Sequence, residues 1–149
     1  MSEDLFEQIE TTIHSEIPLS VSMGIRLVSF DERSVIIEAP LAPNINHKAT
    51  AFGGSLYNVS VLAGWAAVYG LLQQRQLSAH VVIQKSEIDY VSPVTSDIVG
   101  KCLLPAPSQV KRFIETFKKR GKARLTLTTT IHNQGNLAVQ FTGQYVVHV

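Results

Sequence analysis

The sequence predicts an α+β domain in which a curved antiparallel sheet of six strands wraps around one long central helix. The stretch that begins at Gly53 and Gly54 is helical in pattern and contains no charged side chain before Arg75. A helix without a polar face must be enclosed by other parts of the protein. The stretches on either side are rich in Val and Ile or alternate apolar with polar residues, as strands do. A sheet that curls around the helix buries both apolar surfaces together.

The N-terminal part predicts a lid helix followed by a hairpin. An apolar residue recurs at every fourth position of residues 2–17, which indicates an amphipathic helix. Ser2 is suited to cap this helix and Pro18 to end it. Residues 24–30 and 34–39 are rich in apolar residues and predict two paired strands.

The C-terminal part predicts four strands and a short amphipathic helix. The strands are expected over residues 79–91, 97–104, 124–132 and 136–149. The helix is expected over residues 108–120, with Gly121 as its C-terminal cap. Because the strands follow one another in pairs, and an Asn-x-Gly turn joins the last two, we expect hairpins and an antiparallel sheet.

Length and composition exclude several classes of protein. At 149 residues the chain predicts one domain, 1–149, and its net charge of +1 predicts no attraction to nucleic acid. The single cysteine, Cys102, permits no internal disulfide and is expected to be a buried thiol. Three scattered histidines, His80, His132 and His148, form no metal pattern, so no metal site is expected. The acidic N-terminus and the short apolar run of residues 59–72 predict a cytoplasmic protein that is not inserted in a membrane.

Basic residues are concentrated in residues 111–124, which contain seven of the thirteen in the chain and only one acid, Glu115. Two interpretations are open. The segment could dock an acidic acyl carrier protein or the phosphates of coenzyme A, with Lys111, Arg112 and Lys118 among the contacts. Alternatively, it is a solvated helix face whose basic end suits the helix dipole.

The start of the apolar helix is the best candidate for chemistry. Amide N–H groups at Gly53 and Gly54 would be free to polarise a thioester carbonyl or to stabilise an enolate or oxyanion. The alternative is that both glycines serve only close packing or a turn. Upstream, the Asn46 amide can bind substrate or form an Asx turn, and His47 can act as a base or lie in solvent.

Further substrate contacts are expected around the first turns of the helix. Phe52, Tyr57 and Asn58 lie there, and the Tyr57 hydroxyl is a possible proton donor. Ser55 lies there too, although its hydroxyl is also suited to capping. Trp65 and Tyr69 are four residues apart and are expected in the core.

The order of elements resembles the hotdog fold, and a motif makes the resemblance more specific. Hotdog thioesterases of the phenylacetate-pathway type carry N-x-x-G-x-x-H-G-G, and residues 46–54 read NHKATAFGG. Residues 88–93, IDYVSP, also resemble the strand end that follows the helix in those enzymes. The nearest likeness is to a small hotdog family that some bacteria fuse behind an acetyltransferase-type domain. That family carries a thioesterase label, and members are linked to decarboxylation of malonyl-acyl-carrier protein.

The resemblance implies an enzyme of acyl thioesters that needs no cofactor and forms its site between subunits of a homodimer or tetramer. Three positions depart from the motif: Ala49 stands for Gly, Phe52 for His, and Val61 for the Asp that thioesterases place on the helix. There is no Asp or Glu between Glu38 and Glu87. Hydrolysis usually needs a base or a nucleophile, whereas decarboxylation does not. The leading hypothesis is therefore a malonyl-acyl-carrier-protein decarboxylase, ahead of a thioesterase and a non-catalytic acyl-binding module.

Overall fold

The computed structural model describes residues 1–149 and contains four α-helices and six strands. The helices are α1 (Glu3–Glu16), α2 (Leu19–Met23), α3 (Gly53–Gln73) and α4 (Pro107–Arg120). The strands are β1 (Arg26–Phe30), β2 (Ser34–Ala39), β3 (His80–Tyr90), β4 (Ile98–Leu103), β5 (Lys122–Asn133) and β6 (Asn136–His148). The sequence predicted all of these elements except α2, a short helix that begins directly after Pro18. Proline is tolerated at the start of a helix, so Pro18 both ends the first helix and permits the second.

All strand pairs are antiparallel, and the order across the sheet is β1-β2-β4-β5-β6-β3. The α+β hotdog architecture is thereby confirmed, with α3 in contact with β2, β3, β4, β5 and β6. The expectation that β3 and β4 form a hairpin was wrong. After α3 the chain enters the sheet at its far edge, where β3 pairs with β6, and only then crosses back to β4.

Glycines in α3 let the sheet approach the helix closely. A Cβ atom at Gly64 would lie 2.1 Å from the hydroxyl oxygen of Tyr145, a residue of β6 that is completely buried. That hydroxyl donates a hydrogen bond of 2.7 Å to the Val61 carbonyl. Burial raises the pKa of Tyr145 far above the ordinary tyrosine value, so the hydroxyl remains a donor. Cys102 is buried as predicted, and burial raises the pKa of its thiol to about 11.

One stripe of α3 is only partly covered by the rest of the fold, contrary to the expectation that nearly all sides are enclosed. Tyr57, Val61, Trp65 and Tyr69 follow one another at helical spacing and are only partly buried. Trp65 and Tyr69 stack with ring centroids 4.9 Å apart, and they lie at the margin of the core rather than inside it. The stripe faces the side on which α1 and β3 lie.

Although α3 is long and apolar enough to cross a bilayer by length and composition, its most apolar window is 72% buried inside the fold. The expectation that the protein is not inserted in a membrane rested on the shorter apolar run of residues 59–72. Burial by the sheet identifies α3 as the core helix of a globular domain.

The two edge strands of the sheet differ in how far side chains occupy their free backbone groups. At the β1 edge, the Leu27 amide donates to the Glu10 carboxylate over 2.8 Å, and His14 Nε2 donates to the Ile25 carbonyl over 2.8 Å. These side chains of α1 occupy backbone groups that would otherwise be free to pair. The β3 edge is longer, and the Trp65 indole N–H, which donates to the Val81 carbonyl, is the one side chain that occupies a backbone group of this strand. Val82 and Tyr90 are 47% and 53% exposed on it. Unprotected edges of this kind pair readily with another strand.

Candidate active site

The first turn of α3 presents two amide groups that are not used by the fold. The helix starts at Gly53 after Phe52, whose backbone is extended. The amides of Ser55 and Leu56 donate to the Phe52 carbonyl over 2.9 and 3.0 Å, whereas those of Gly53 and Gly54 donate no hydrogen bond within the chain. These N–H groups and the positive end of the helix dipole favour a negatively charged or strongly polarised oxygen.

The loop before α3 is held rigidly by buried Asn44. Its side-chain amide donates to the carbonyls of Met23 and Pro40 over 2.9 and 2.8 Å. The backbone carbonyl of Asn44 accepts a hydrogen bond of 2.7 Å from the Phe52 amide. Because these bonds connect α2, the loop and the residue before the helix, they fix the position of the Gly53 and Gly54 amides.

Asn46 forms the Asx turn that the sequence left open as an alternative. Its Oδ1 accepts hydrogen bonds from the amides of Lys48 and Thr50 over 2.8 and 3.2 Å. Its Nδ2 donates to Thr50 Oγ1 over 2.9 Å. A primary amide has two donor hydrogens, so one hydrogen on Nδ2 is left for a ligand. The turn therefore orients the amide without exhausting it.

His47, Lys48 and Ala49 form the exposed tip of this loop. Ala49 has φ = 61°, in the left-handed region that favours glycine. The glycine that the motif carries at this position would adopt such a backbone conformation without strain. Ala49 adopts it with strain, so the replacement is not neutral. His47 makes no hydrogen bond to the loop that carries it, and its role as a base stays a prediction.

Two tyrosine hydroxyls lie close to the helix start. The Tyr57 hydroxyl is 2.7 Å from Ser86 Oγ, and the Tyr90 hydroxyl donates to the Gly53 carbonyl over 3.0 Å. Burial, and to a lesser extent Tyr57, raises the pKa of Tyr90. Neither Ser86 nor Tyr90 was predicted as a site residue. The signal available for Tyr90 was its place in the IDYVSP segment, whereas nothing in the sequence marked Ser86.

Phe52 covers one side of the helix start. A Cβ atom at Gly54 would lie 2.5 Å from Phe52 Cε2, so the ring packs directly on this glycine. The ring is also 56% exposed, which leaves it free to contact a ligand. Because Phe stands where the motif has His, the position supplies an apolar surface and no titratable group.

The other predicted contacts on α3 differ in their access to a ligand. Ser55 is buried as a residue, and its hydroxyl makes no capping hydrogen bond. Asn58 Nδ2 lies 3.6 Å from Met23 Sδ, in a small apolar pocket of about 150 Å³ beneath α2. Val61 lines that pocket and also the larger groove described next, and it therefore lies on the open side of the helix.

A groove of about 760 Å³ runs between α1, α3 and β3. We call it the α1–α3–β3 groove. Its walls are mainly apolar and include Val61, Trp65, Val81 and Ile83. Glu16 of α1 is the single carboxylate among its lining residues. The groove begins at Val61, eight residues after Gly53, and continues toward the C-terminal end of α3. Its apolar walls suit an acyl chain that extends away from the helix start.

The structure does not bring Lys111, Arg112 and Lys118 together with the helix start in one subunit. Val110 of α4 lines a cavity with Leu71 and Gln74, which lie at the C-terminal end of α3. With a rise of 1.5 Å per residue, α3 is about 30 Å long. The basic residues therefore lie at the opposite end of the molecule from Gly53.

Comparison with known proteins agrees with this geometry. Residues 6–149 match the model of the YiiD_C family, described as "Putative thioesterase (yiiD_Cterm)". A protein of unknown function from Chlorobaculum tepidum is 33% identical, with a TM-score of 0.94 over 98% of this chain and 95% of that one. A "putative thioesterase" from Shewanella oneidensis is 34% identical, with a TM-score of 0.85 over 99% of this chain and 100% of that one.

A probable thioesterase from Pseudomonas aeruginosa, 19% identical with a TM-score of 0.80 over 95% of this chain and 94% of that one, shares the fold. The family model covers nearly the whole chain, and the two closer structures match it along almost their full length. The chain therefore belongs to the YiiD_C family of hotdog-fold proteins that act on acyl thioesters.

Proposed function

We propose that the protein decarboxylates a malonyl thioester carried by an acyl carrier protein in the cytoplasm, giving the acetyl thioester that starts fatty acid synthesis. One observation carries the proposal. The free amides of Gly53 and Gly54 lie at the start of a helix that contains no carboxylate. Such a site polarises a thioester well but supplies no evident base to activate water.

The reaction requires an acceptor for developing negative charge. The Gly53 and Gly54 amides donate to the thioester carbonyl oxygen, and the remaining Nδ2 hydrogen of Asn46 donates to the same oxygen or to the malonyl carboxylate. When the bond between the methylene carbon and the carboxylate breaks, its electron pair forms the enolate and CO₂ leaves. Each donor of this kind typically contributes about 2.7–4 kcal/mol to stabilising the transition state.

A proton must then reach the methylene carbon to give the acetyl group. Water, or the Tyr57 hydroxyl that is hydrogen-bonded to Ser86, supplies it. The exposed Phe52 ring, which packs on Gly54, favours loss of CO₂, because a malonyl carboxylate beside this apolar surface is less well solvated than in water. No residue of the chain has to act as a general base in this sequence.

Thioester hydrolysis is the second candidate, and Glu16 favours it. This carboxylate lines the same groove as Val61, the position at which thioesterases carry Asp. Glu16 would have to activate water from α1 rather than from α3. The family to which the chain belongs is itself described as one of thioesterases.

Product masses separate the candidates. The protein is incubated with malonyl-carrier protein and, separately, with acetyl-carrier protein, and the carrier is weighed by mass spectrometry. Acetyl-carrier protein formed from the malonyl substrate is the expected result. Free carrier thiol from either substrate would instead support hydrolysis, and binding without any change of mass would support a non-catalytic module.

Replacing Val61 with Asp is expected to introduce hydrolysis of acetyl-carrier protein, because it restores a carboxylate on the open side of α3. Release of free thiol is measured with a chromogenic disulfide. The matched control is Val61→Asn, which has a similar shape and polarity but cannot act as a base. If Val61→Asp and Val61→Asn release thiol at the same rate, the missing carboxylate does not decide the reaction type.

A second copy of the chain is part of the proposal, because one subunit leaves the β3 edge without a partner strand and the stripe on α3 only partly covered. The β1 edge is occupied by α1, so β3 is the edge available for pairing. An antiparallel β3–β3 pair about a two-fold axis at Ser86 places Lys85 opposite Glu87 of the partner subunit, and opposite charges facing each other favour pairing. The sheet would then continue from one subunit into the next.

Charge exchange tests this arrangement. Lys85→Glu places carboxylates opposite each other and is expected to raise the dimer dissociation constant, as measured by analytical ultracentrifugation at low salt. The double variant Lys85→Glu/Glu87→Lys restores opposite charges and should recover dimerisation. If the double variant dissociates as readily as the single one, the two residues do not face each other across the axis.

A further inference from the structure

The most strongly charged surface of the molecule has no partner within the chain. We define the basic surface as Lys111, Arg112, Lys118, Lys119, Arg120, Lys122 and Arg124, all of which are exposed. The single salt bridge of the structure joins Arg26 and Glu38, which belong to other elements. Arg120, Lys122 and Arg124 also line one shallow depression of about 480 Å³. A surface of this charge fits an acidic macromolecule.

The basic surface is too far from the active site of its own subunit. Lys122 lies opposite His148, and His148 lies opposite His80, the first residue of β3. Tyr90, whose hydroxyl contacts Gly53, is the last residue of the same strand. Ten residue steps along a strand at about 3.3 Å each separate the two ends by about 33 Å.

The proposed dimer brings the same surface close to the other active site. Pairing β3 with β3 in the antiparallel direction places the start of one strand beside the end of the other. From Tyr90, the path to Arg124 of the partner subunit then crosses three strand spacings of about 4.8 Å, or roughly 14 Å. The distance between subunits is therefore less than half of the distance within one subunit.

Basic and imidazole side chains also connect this surface to the subunit boundary. Lys122, His148 and His80 occupy successive strands in one row of the sheet. The rings of His80 and His148 have centroids 5.3 Å apart. The row ends at β3, which is the strand that forms the proposed contact between subunits.

From this geometry we infer that the basic surface of one subunit docks the acidic carrier protein whose thioester reacts in the active site of the other subunit. The inference rests on the proposed function and on the β3 dimer. Coulombic attraction orients the carrier on the basic surface and raises the rate of encounter. The acyl arm of the carrier then crosses the subunit boundary to reach Gly53 and Gly54.

Mixed dimers test delivery between subunits. One chain carries Lys118→Glu/Arg120→Glu/Lys122→Glu and an intact active site, and the other carries Asn46→Asp and an intact basic surface. Differently tagged chains are co-expressed and the mixed dimer is purified on both tags. If the carrier is delivered between subunits, the intact basic surface of one chain still serves the intact active site of the other. The mixed dimer should then turn over malonyl-carrier protein at about half the wild-type rate. If the carrier is delivered within a subunit, neither chain has both an intact basic surface and an intact active site. A rate as low as that of the two parent homodimers would therefore overturn the inference.

A small substrate separates failure of docking from failure of the proposed function. The triple-Glu homodimer should process malonyl-pantetheine at the wild-type rate while its kcat/KM for malonyl-carrier protein falls at least tenfold. The control Arg26→Glu/Arg33→Glu/Lys101→Glu changes the net charge equally on another part of the sheet and should leave both activities unchanged. An unchanged kcat/KM of the triple-Glu homodimer for malonyl-carrier protein would refute the docking surface alone. Absence of wild-type decarboxylation with both substrates would refute the proposed function itself.

Discussion

Replacing Asn46 with Asp is expected to lower the turnover of malonyl-carrier protein by about 10²–10³-fold while the protein stays folded. The Asp carboxylate can still accept the hydrogen bonds that Oδ1 receives from Lys48 and Thr50, so the loop keeps its turn. The change removes the free Nδ2 hydrogen and puts a negative charge where the substrate carboxylate and the enolate develop theirs. Both effects raise the barrier to decarboxylation. Single-turnover kinetics with mass detection measures the loss.

Two variants distinguish chemistry from loop structure. Thr50→Val removes the acceptor of the Asn46 amide but keeps its free hydrogen, and it should cost much less activity than Asn46→Asp. Asn136→Asp, in the exposed β5–β6 hairpin, introduces the same change elsewhere and should have no effect. If Asn46→Asp retains full turnover with an unchanged melting temperature, Asn46 does not contact the reacting group.

Replacing Gly64 with Ala is expected to lower the free energy of unfolding by at least about 2 kcal/mol, although alanine normally favours a helix by about 1 kcal/mol over glycine. The new Cβ would overlap the Tyr145 side chain, with its hydroxyl oxygen and two ring carbons at 2.1–2.6 Å. That ring is completely buried and tied to the Val61 carbonyl, so it cannot move without disturbing the contact between α3 and β6. Urea denaturation followed by circular dichroism measures the change.

The same substitution in the same helix provides the control. At Gly53 a Cβ would lie 3.6 Å from Tyr90, an ordinary contact, so Gly53→Ala should be neutral or slightly stabilising. Tyr145→Phe removes the oxygen closest to the new methyl group. The double variant Gly64→Ala/Tyr145→Phe should therefore be more stable than the sum of the two single effects predicts. Strict additivity would show that the destabilisation arises elsewhere.

Features with a local physical cause could be predicted from the sequence. The start of α3 at Gly53 follows from the proline-rich loop and the uncharged run behind it. The C-terminal cap at Gly121, which has φ = 70°, follows from the freedom of glycine in the left-handed region. Ser2 caps α1 because its hydroxyl accepts a hydrogen bond from the Leu5 amide.

Features that depend on distant parts of the chain could not be predicted. The pairing of β3 with β6 joins residues far apart in sequence, and both strands satisfy their alternation equally well beside other neighbours. Ser86 reaches the Tyr57 hydroxyl only because that pairing places β3 against the first turns of α3. The basic surface lies at the far end of the molecule from the start of α3. This placement likewise depends on the direction in which β5 crosses the sheet.

The partly covered stripe on α3 also has a spectroscopic consequence. Trp65 is the only tryptophan of the chain and forms part of this stripe, with its indole N–H bonded to the Val81 carbonyl of β3. Any strand, acyl chain or second subunit that enters the α1–α3–β3 groove must change the water around this indole. Its intrinsic fluorescence therefore reports assembly, through a dependence on protein concentration, and substrate entry, through a dependence on ligand at fixed protein concentration. Neither measurement needs an attached label.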